Sequence, residues 1–115
     1  PLTSRQCARV ANRAALGLAR TGATSHDTSG DLAVAFSTAE RVPFGGVETT
    51  CRALVEGAAT GASPLTALFR GAVEATEEAV LDALVAAETT VGAARTLHAI
   101  PRARLLELLR AWPDL

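Results

Sequence analysis

Apolar residues recur at helical spacing early in the chain: Cys7, Val10, Ala14 and Leu18 fall on one face. Thr3 and Gln6 frame the start of that helix as a T-x-x-Q capping box, in which the hydroxyl accepts an early amide and the glutamine reaches back. Arg5, Arg9 and Arg13 stack four apart on another face, the pattern of a solvated stripe or one that docks against an acidic surface. Gly17 and Gly22 bracket the helix end, with Gly22 the better left-handed cap. Residues 23–30, Ala-Thr-Ser-His-Asp-Thr-Ser-Gly, then form a polar loop rich in turn formers. Next comes period-two alternation over 31–38. Leu32, Val34 and Phe36 point to one side as a core face, while Asp31, Ala33, Ala35 and Ser37 point to the other. Two alanines on that second side leave room for another backbone or a ligand.

Pro43, Gly45 and Gly46 make 39–50 a loop, and the Ala/Gly-rich stretch 51–62 is ambiguous. Ser63-Pro64 is a helix start, with Ser as cap and Pro at the first helical position. The helix is expected to run to about Val91 and stop at Gly92, with Val73, Val80, Leu84, Ala87 and Val91 sharing a buried face. Thr96–Ile100 reads as a short extended piece. Pro101 opens a last amphipathic helix carrying Leu105, Leu108, Leu109 and Trp112 at i, i+3, i+4 and i+7, and Pro113 stops it. One clear strand cannot form a sheet alone, so the chain needs partner strands that it does not contain.

Composition narrows the function classes. The chain has 115 residues, enough for one ordinary domain, with 49% hydrophobic and 20% charged residues, which excludes disorder. Net charge is −1, and no global basic field exists to attract nucleic acid or an anionic membrane. All basic residues are Arg, which reads as coding bias. Aromatics are only 3%, so stacking on bases or sugars is poorly provided for. No apolar run reaches the roughly 20 residues of a membrane span. The chain begins at Pro1 without an initiator Met or a signal-like segment, which suggests a processed or truncated product.

Metal and redox chemistry find no pattern. Cys7 and Cys51 are too far apart for a CxxC motif, and Cys7 reads as a small buried hydrophobe. His26 and His98 have no partner at ligand spacing. Glu74, Glu77, Glu78 and Asp82 lack the alternating loop spacing of a calcium site and read as a solvated face. No metal and no cofactor are expected.

Ser29-Gly30-Asp31 is the constellation with chemical content. If extended geometry begins at Ser29, the hydroxyl and the carboxylate at i and i+2 share a face and can form a relay. The same tripeptide is a common turn sequence. His26, Ser29 and Asp31 do not make a hydrolytic triad: the histidine must sit between nucleophile and acid, and six consecutive residues rarely allow it. There is also no G-x-S-x-G elbow.

Longer motifs carry more. Arg13-Ala-Ala-Leu-Gly-Leu-Ala-Arg-Thr-Gly22 is followed by Ser29-Gly-Asp-Leu-Ala-Val-Ala-Phe-Ser-Thr38. Pro64-Leu-Thr-Ala-Leu-Phe69, Val73-Glu-Ala-Thr-Glu-Glu-Ala-Val80 and Ala83-Leu-Val-Ala-Ala87 come next, and Leu97-His-Ala-Ile-Pro101 with Leu105-Leu-Glu-Leu-Leu109 closes the series. In this order they resemble the self-cleaving aminopeptidases of the L-aminopeptidase/D-esterase (DmpA) type, which include the β-peptidyl aminopeptidases. The resemblance implies an α+β fold, part of a four-layer αββα sandwich of amino-terminal-nucleophile type, with residues 1–115 as a single C-terminal, β-subunit-like fragment whose sheet is incomplete. It implies a precursor that cuts itself, freeing a Ser or Thr nucleophile that lies roughly 5–10 residues upstream of Pro1 for a strand of ordinary length.

By the same resemblance, Ser29 orients that nucleophile and Asp31 polarises Ser29. Some relatives carry Glu in place of Asp, one methylene longer in reach. The expected substrate is a small peptide, amide or ester with a free amino end, and the expected partners are an α subunit of the same precursor and further copies of the αβ pair. Oxyanion-hole donors come from the α chain. The fragment alone is expected to be inactive. The cytoplasm is the expected compartment, with the periplasm or secretion as alternatives because any export signal would precede the α chain. An endo-acting amide or nylon-oligomer hydrolase of similar architecture is the rival enzyme, although such relatives depart from Ser-Gly-Asp at this loop. A non-catalytic helical interaction module is the rival of a different class.

Overall fold

The computed structural model describes residues 1–39, 44–45, 54–57 and 63–111. The expectations for Pro43, Gly46, Cys51, Trp112 and Pro113 lie outside those residues. Two compact units are present, Pro1–Glu77 and Glu78–Leu115. Helices and one small hairpin are the described elements, a mixed composition compatible with an α+β fragment. Among the described residues, no helix is long and apolar enough to cross a membrane.

The first unit starts with helix α1, Ser4–Arg20. Its capping box forms as the spacing predicts: Gln6 N–H donates to Thr3 Oγ1 at 3.2 Å, and Thr3 N–H donates to Gln6 Oε1 at 2.9 Å. Two of the amides that a helix start leaves unpaired are thereby satisfied. At the other end the N–H of Gly22 donates to Ala19 O, with Gly22 at φ +94°, where a Cβ would be strained.

Gly17 has a different role from the one its position suggests. It is buried inside α1, and a Cβ there would lie 2.7 Å from Thr76 Cβ and hard against the Val73 carbonyl oxygen. Both belong to helix α2, Pro64–Ala86. Gly17 is therefore the point where two helix backbones touch. Its missing side chain is what permits the approach. Beside that contact Arg20 pairs with Glu77 at 3.1 Å; elsewhere on the two helices Cys7 and Leu65 are the buried apolar side chains among the described residues. Cys7 is a buried free thiol, as its place on the apolar face of α1 predicts.

The arginine stripe folds back onto its own chain. Arg5 Nη2 lies 2.6 Å from Glu56 Oε1, and Arg9 Nη1 donates to Glu56 Oε2. Arg13 Cζ stands 4.3 Å from the centroid of the Phe69 ring, and Arg9 Cζ 5.1 Å, both within cation–π range. Gln6 Nε2 donates to Leu54 O at 2.7 Å, and Leu54 N–H donates to Pro1 O at 3.2 Å. Segment 54–57 is thus tied to the start of α1 by one carboxylate, one buried amide and one backbone bond.

The hydrogen bond from Arg5 holds the Glu56 carboxyl below the ordinary carboxylate range, against the opposing effect of burial; Gln6 and the charges of Arg5 and Arg9 add to the lowering. A lowered folded-state value stabilises the fold above the unfolded-state value of about 4.3, and that contribution disappears as pH falls through the lower value. Glu56→Gln should therefore lower the urea midpoint at pH 7, with a gap that narrows below about pH 4 and in high salt. A gap of equal size at pH 7 and pH 3 would contradict the ion-pair account.

Residues 31–38 depart from the expected strand in one respect. They carry no helix or turn, and no ladder pairs them among the described residues. Leu32, Val34 and Phe36, read as a core face, are 98%, 88% and 80% exposed. The alternation is real, but the described residues supply no neighbouring strand and no layer to cover that side. Ala35, on the small-residue side, is the half-buried member of the run. A cavity of about 600 Å³ separates 30–33 from α1, lined by Ala11, Ala14 and Leu18 on the helix side.

In the second unit the expected long helix stops early. α2 ends at Ala86, not near Val91, and Thr90–Val91 becomes strand β1, paired antiparallel with β2, Thr96–Leu97. Thr90 faces Leu97 and Val91 faces Thr96. The run Thr89-Thr90-Val91 is β-branched, poor in helices and good in strands, and Gly92 N–H closes the turn onto Arg95 O at 2.9 Å. Val91 is accordingly exposed, and Ala87 and Leu84 do not complete a buried stripe. Helix α3, Arg102–Ala111, follows Pro101 as expected, and Arg102 Nε donates to Val85 O at 3.1 Å.

Candidate active site

The polar loop begins where α1 is capped. Thr21 ends the helix, its hydroxyl donating to Leu18 O at 2.7 Å, and Gly22 turns the chain. Ser25 then takes φ +46°, a left-handed conformation that is costly for a residue bearing a Cβ. Ser29 N–H donates to His26 O at 2.8 Å, closing a tight turn over Asp27 and Thr28. These two features fold the loop back on itself.

The folding brings Ser25 to Asp31. Ser25 Oγ donates to Asp31 Oδ2 at 3.3 Å across six positions of sequence. Ser29 and Asp31 are both exposed, and no hydrogen bond joins their side chains among the described residues. An ionised carboxylate accepts about four hydrogen bonds, so the contact with Ser25 leaves capacity for a second hydroxyl. The His26 ring contacts Thr24 Oγ1 through Nε2 at 3.3 Å, and among the described residues it makes no hydrogen bond to the Ser29 or Asp31 side chain. The triad reading has no geometric support.

Two contacts escape sequence reasoning. Ser25 sits in a loop without periodicity, and nothing in its spacing from Asp31 signals contact; only the left-handed turn creates it. Glu56 lies in a stretch with no clear element. The signal was present on the other side, since Arg5 and Arg9 one turn apart present two guanidinium groups to one carboxylate. Among the described residues, no group of three or more His, Cys, Asp or Glu side chains is placed to hold a metal ion.

Comparison with known proteins decides the family. Residues 1–97 match peptidase family S58. The chain belongs to that family. Over 112 residues it is 42% identical to the β-peptidyl aminopeptidase BapA of Sphingosinicella xenopeptidilytica, covering 96% of this chain and 27% of that protein. Over 113 residues it is 35% identical to the BapA of Sphingosinicella microcystinivorans, covering 97% of this chain and 28% of that protein. Among solved structures it is similar to the PH0078 protein of Pyrococcus horikoshii OT3, with a TM-score of 0.86 and 40% identity over all of this chain and 31% of that one. The chain thus spans between a quarter and a third of the length of these relatives. The stretch matched to S58 contains Gly17, Ser25, Ser29, Asp31 and Glu56.

Proposed function

We propose that this chain is the C-terminal, β-like part of a self-cleaving aminopeptidase with an αββα architecture. Its nucleophile is a Ser or Thr that heads a strand upstream of Pro1. The observation that carries this reading is membership of S58, together with 42% identity to a protein named as a β-peptidyl aminopeptidase.

The chemistry follows from an amino-terminal hydroxyl residue. A free α-amine has a pKa of about 7.7–8.0, low enough to act as base near neutrality. It takes the hydroxyl proton as the oxygen bonds to the substrate carbonyl carbon. The tetrahedral intermediate expels the leaving amine, which departs with that proton, and water then hydrolyses the acyl-enzyme. In this scheme Ser29 hydrogen-bonds and orients the nucleophile, and Asp31 accepts from Ser29 and polarises it. The exposure of both side chains supports the reading, because each is free to meet a group from outside the described residues. An α chain from the same precursor supplies the oxyanion-hole donors and the missing sheet partners, and αβ pairs assemble further. The cytoplasm is the proposed compartment.

The substrate class is a small peptide, amide or ester with a free amino end. The complete gene product should hydrolyse an amino-acid p-nitroanilide and lose nearly all turnover when that amine is acetylated. Equal rates on the free and acetylated substrates would overturn the aminopeptidase reading in favour of an endo-acting hydrolase.

A further inference from the structure

We propose that Ser25 is a positioning residue for Asp31, using a left-handed backbone turn to aim its hydroxyl at one carboxylate oxygen so that the other is presented to Ser29. The inference rests on the assignment of Asp31 to the nucleophile's relay and adds a residue to it.

Three observations converge on this serine. Its Oγ donates to Asp31 Oδ2 at 3.3 Å, a long bond of the kind that tightens once a site is assembled. Its φ of +46° is the only positive value at a non-glycine position among the described residues. Left-handed geometry at such a residue is retained where the surroundings demand it, and such strain concentrates at functional sites. The loop also holds itself by other means, through the Ser29–His26 backbone bond and the Thr21 and Gly22 caps. None of these bonds uses the Ser25 hydroxyl. Its described partner is the carboxylate.

The carboxylate gains from such a partner. An exposed aspartate rotates about χ1 and χ2, and a donor fixed by the backbone restricts that rotation. A charge-assisted hydrogen bond on one oxygen leaves the other free to accept from Ser29, so restriction of Asp31 becomes restriction of Ser29. The effect belongs in kcat, because the relay acts on the nucleophile and not on the substrate's side chain.

Substitutions at Ser25 separate hydroxyl from backbone. Ser25→Gly removes the donor but favours the left-handed turn. Ser25→Asn tolerates the same backbone and restores a donor through its side-chain amide. In the complete gene product acting on an amino-acid p-nitroanilide, Ser25→Gly should lower kcat about five- to tenfold with KM unchanged, and Ser25→Asn should recover most of the loss. In an Asp31→Ala background, Ser25→Gly should cost nothing more. A Ser25→Gly enzyme with full kcat, beside an Asp31→Ala enzyme that is crippled, overturns the role of Ser25 and leaves the relay standing. Full kcat in Asp31→Ala overturns both.

Discussion

Replacing Asp31 with Ala in the complete gene product should lower kcat on an amino-acid p-nitroanilide by about 100-fold or more, with KM changed only a few-fold. The size follows from the role: proton-transfer and orientation partners of a nucleophile contribute about 10²–10⁴ in rate. The split between kcat and KM follows from the proposed role, since a carboxylate that acts through Ser29 on the attacking oxygen is felt in the transition state and barely in binding. Ser29→Ala should produce a loss of similar order. The double variant should be little worse than either single one, because residues that act as a unit are not additive. Neither change should unfold the protein. Both side chains are exposed, and exposed substitutions away from caps and strained positions usually shift stability by less than about 0.5 kcal/mol. Unchanged kcat in Asp31→Ala would remove the relay from the site.

The largest stability effect should come from Gly17. A Cβ at that position meets the Val73 carbonyl oxygen and Thr76 Cβ, which are a backbone atom and the root of a side chain and cannot swing aside. Gly→Ala inside a helix ordinarily gains about 0.5–1 kcal/mol from reduced unfolded-state entropy, whereas forcing atoms into a filled contact costs about 1–3 kcal/mol. The clash wins. Gly17→Val, with more atoms to place and a β-branched side chain, should destabilise the protein by about 3 kcal/mol in urea denaturation. Gly71 is the control in the same unit, also helical, with nothing within 4 Å of a Cβ. Gly71→Ala should stabilise by about 0.5–1 kcal/mol. Opposite signs at two helical glycines would separate packing from propensity, and destabilisation at both would refute the close-contact account.

What was legible in the sequence was local. The Thr3–Gln6 capping box, the Gly22 cap and the Ser63-Pro64 helix start each depend on residues within four positions of one another, and each forms. Gly17 and Gly22 bracket the expected helix end, and Gly22 is the cap; the contact of Gly17 is instead with Val73 and Thr76, more than fifty residues away in sequence. The end of α2 was misplaced because the apolar period runs on through Ala87 and Val91, while the β-branched run Thr89–Val91 favours an extended chain. Period and propensity disagreed there, and propensity won. Leu32, Val34 and Phe36 show a further limit: alternation predicts which side chains share a side, but their burial depends on a layer that the described residues do not contain.

The same division holds at the candidate site. The assignment of Ser29 and Asp31 rests on a tripeptide and flanking motifs that resemble a family, and S58 membership bears out the family. The Ser25–Asp31 contact is not legible in the sequence, because it depends on one left-handed dihedral angle in a polar loop, which no residue pattern announces. The Arg5–Arg9–Glu56 cluster was half legible, as two cations one turn apart in search of an anion.

The central claim is that catalysis belongs to a hydroxyl residue exposed by self-cleavage upstream of Pro1. Intact-mass measurement and amino-terminal sequencing of the purified complete gene product test it most directly. The account predicts two chains in equal amounts, the smaller beginning with Ser or Thr roughly 5–10 residues before Pro1. A single uncleaved chain, or a junction with neither residue, would contradict it.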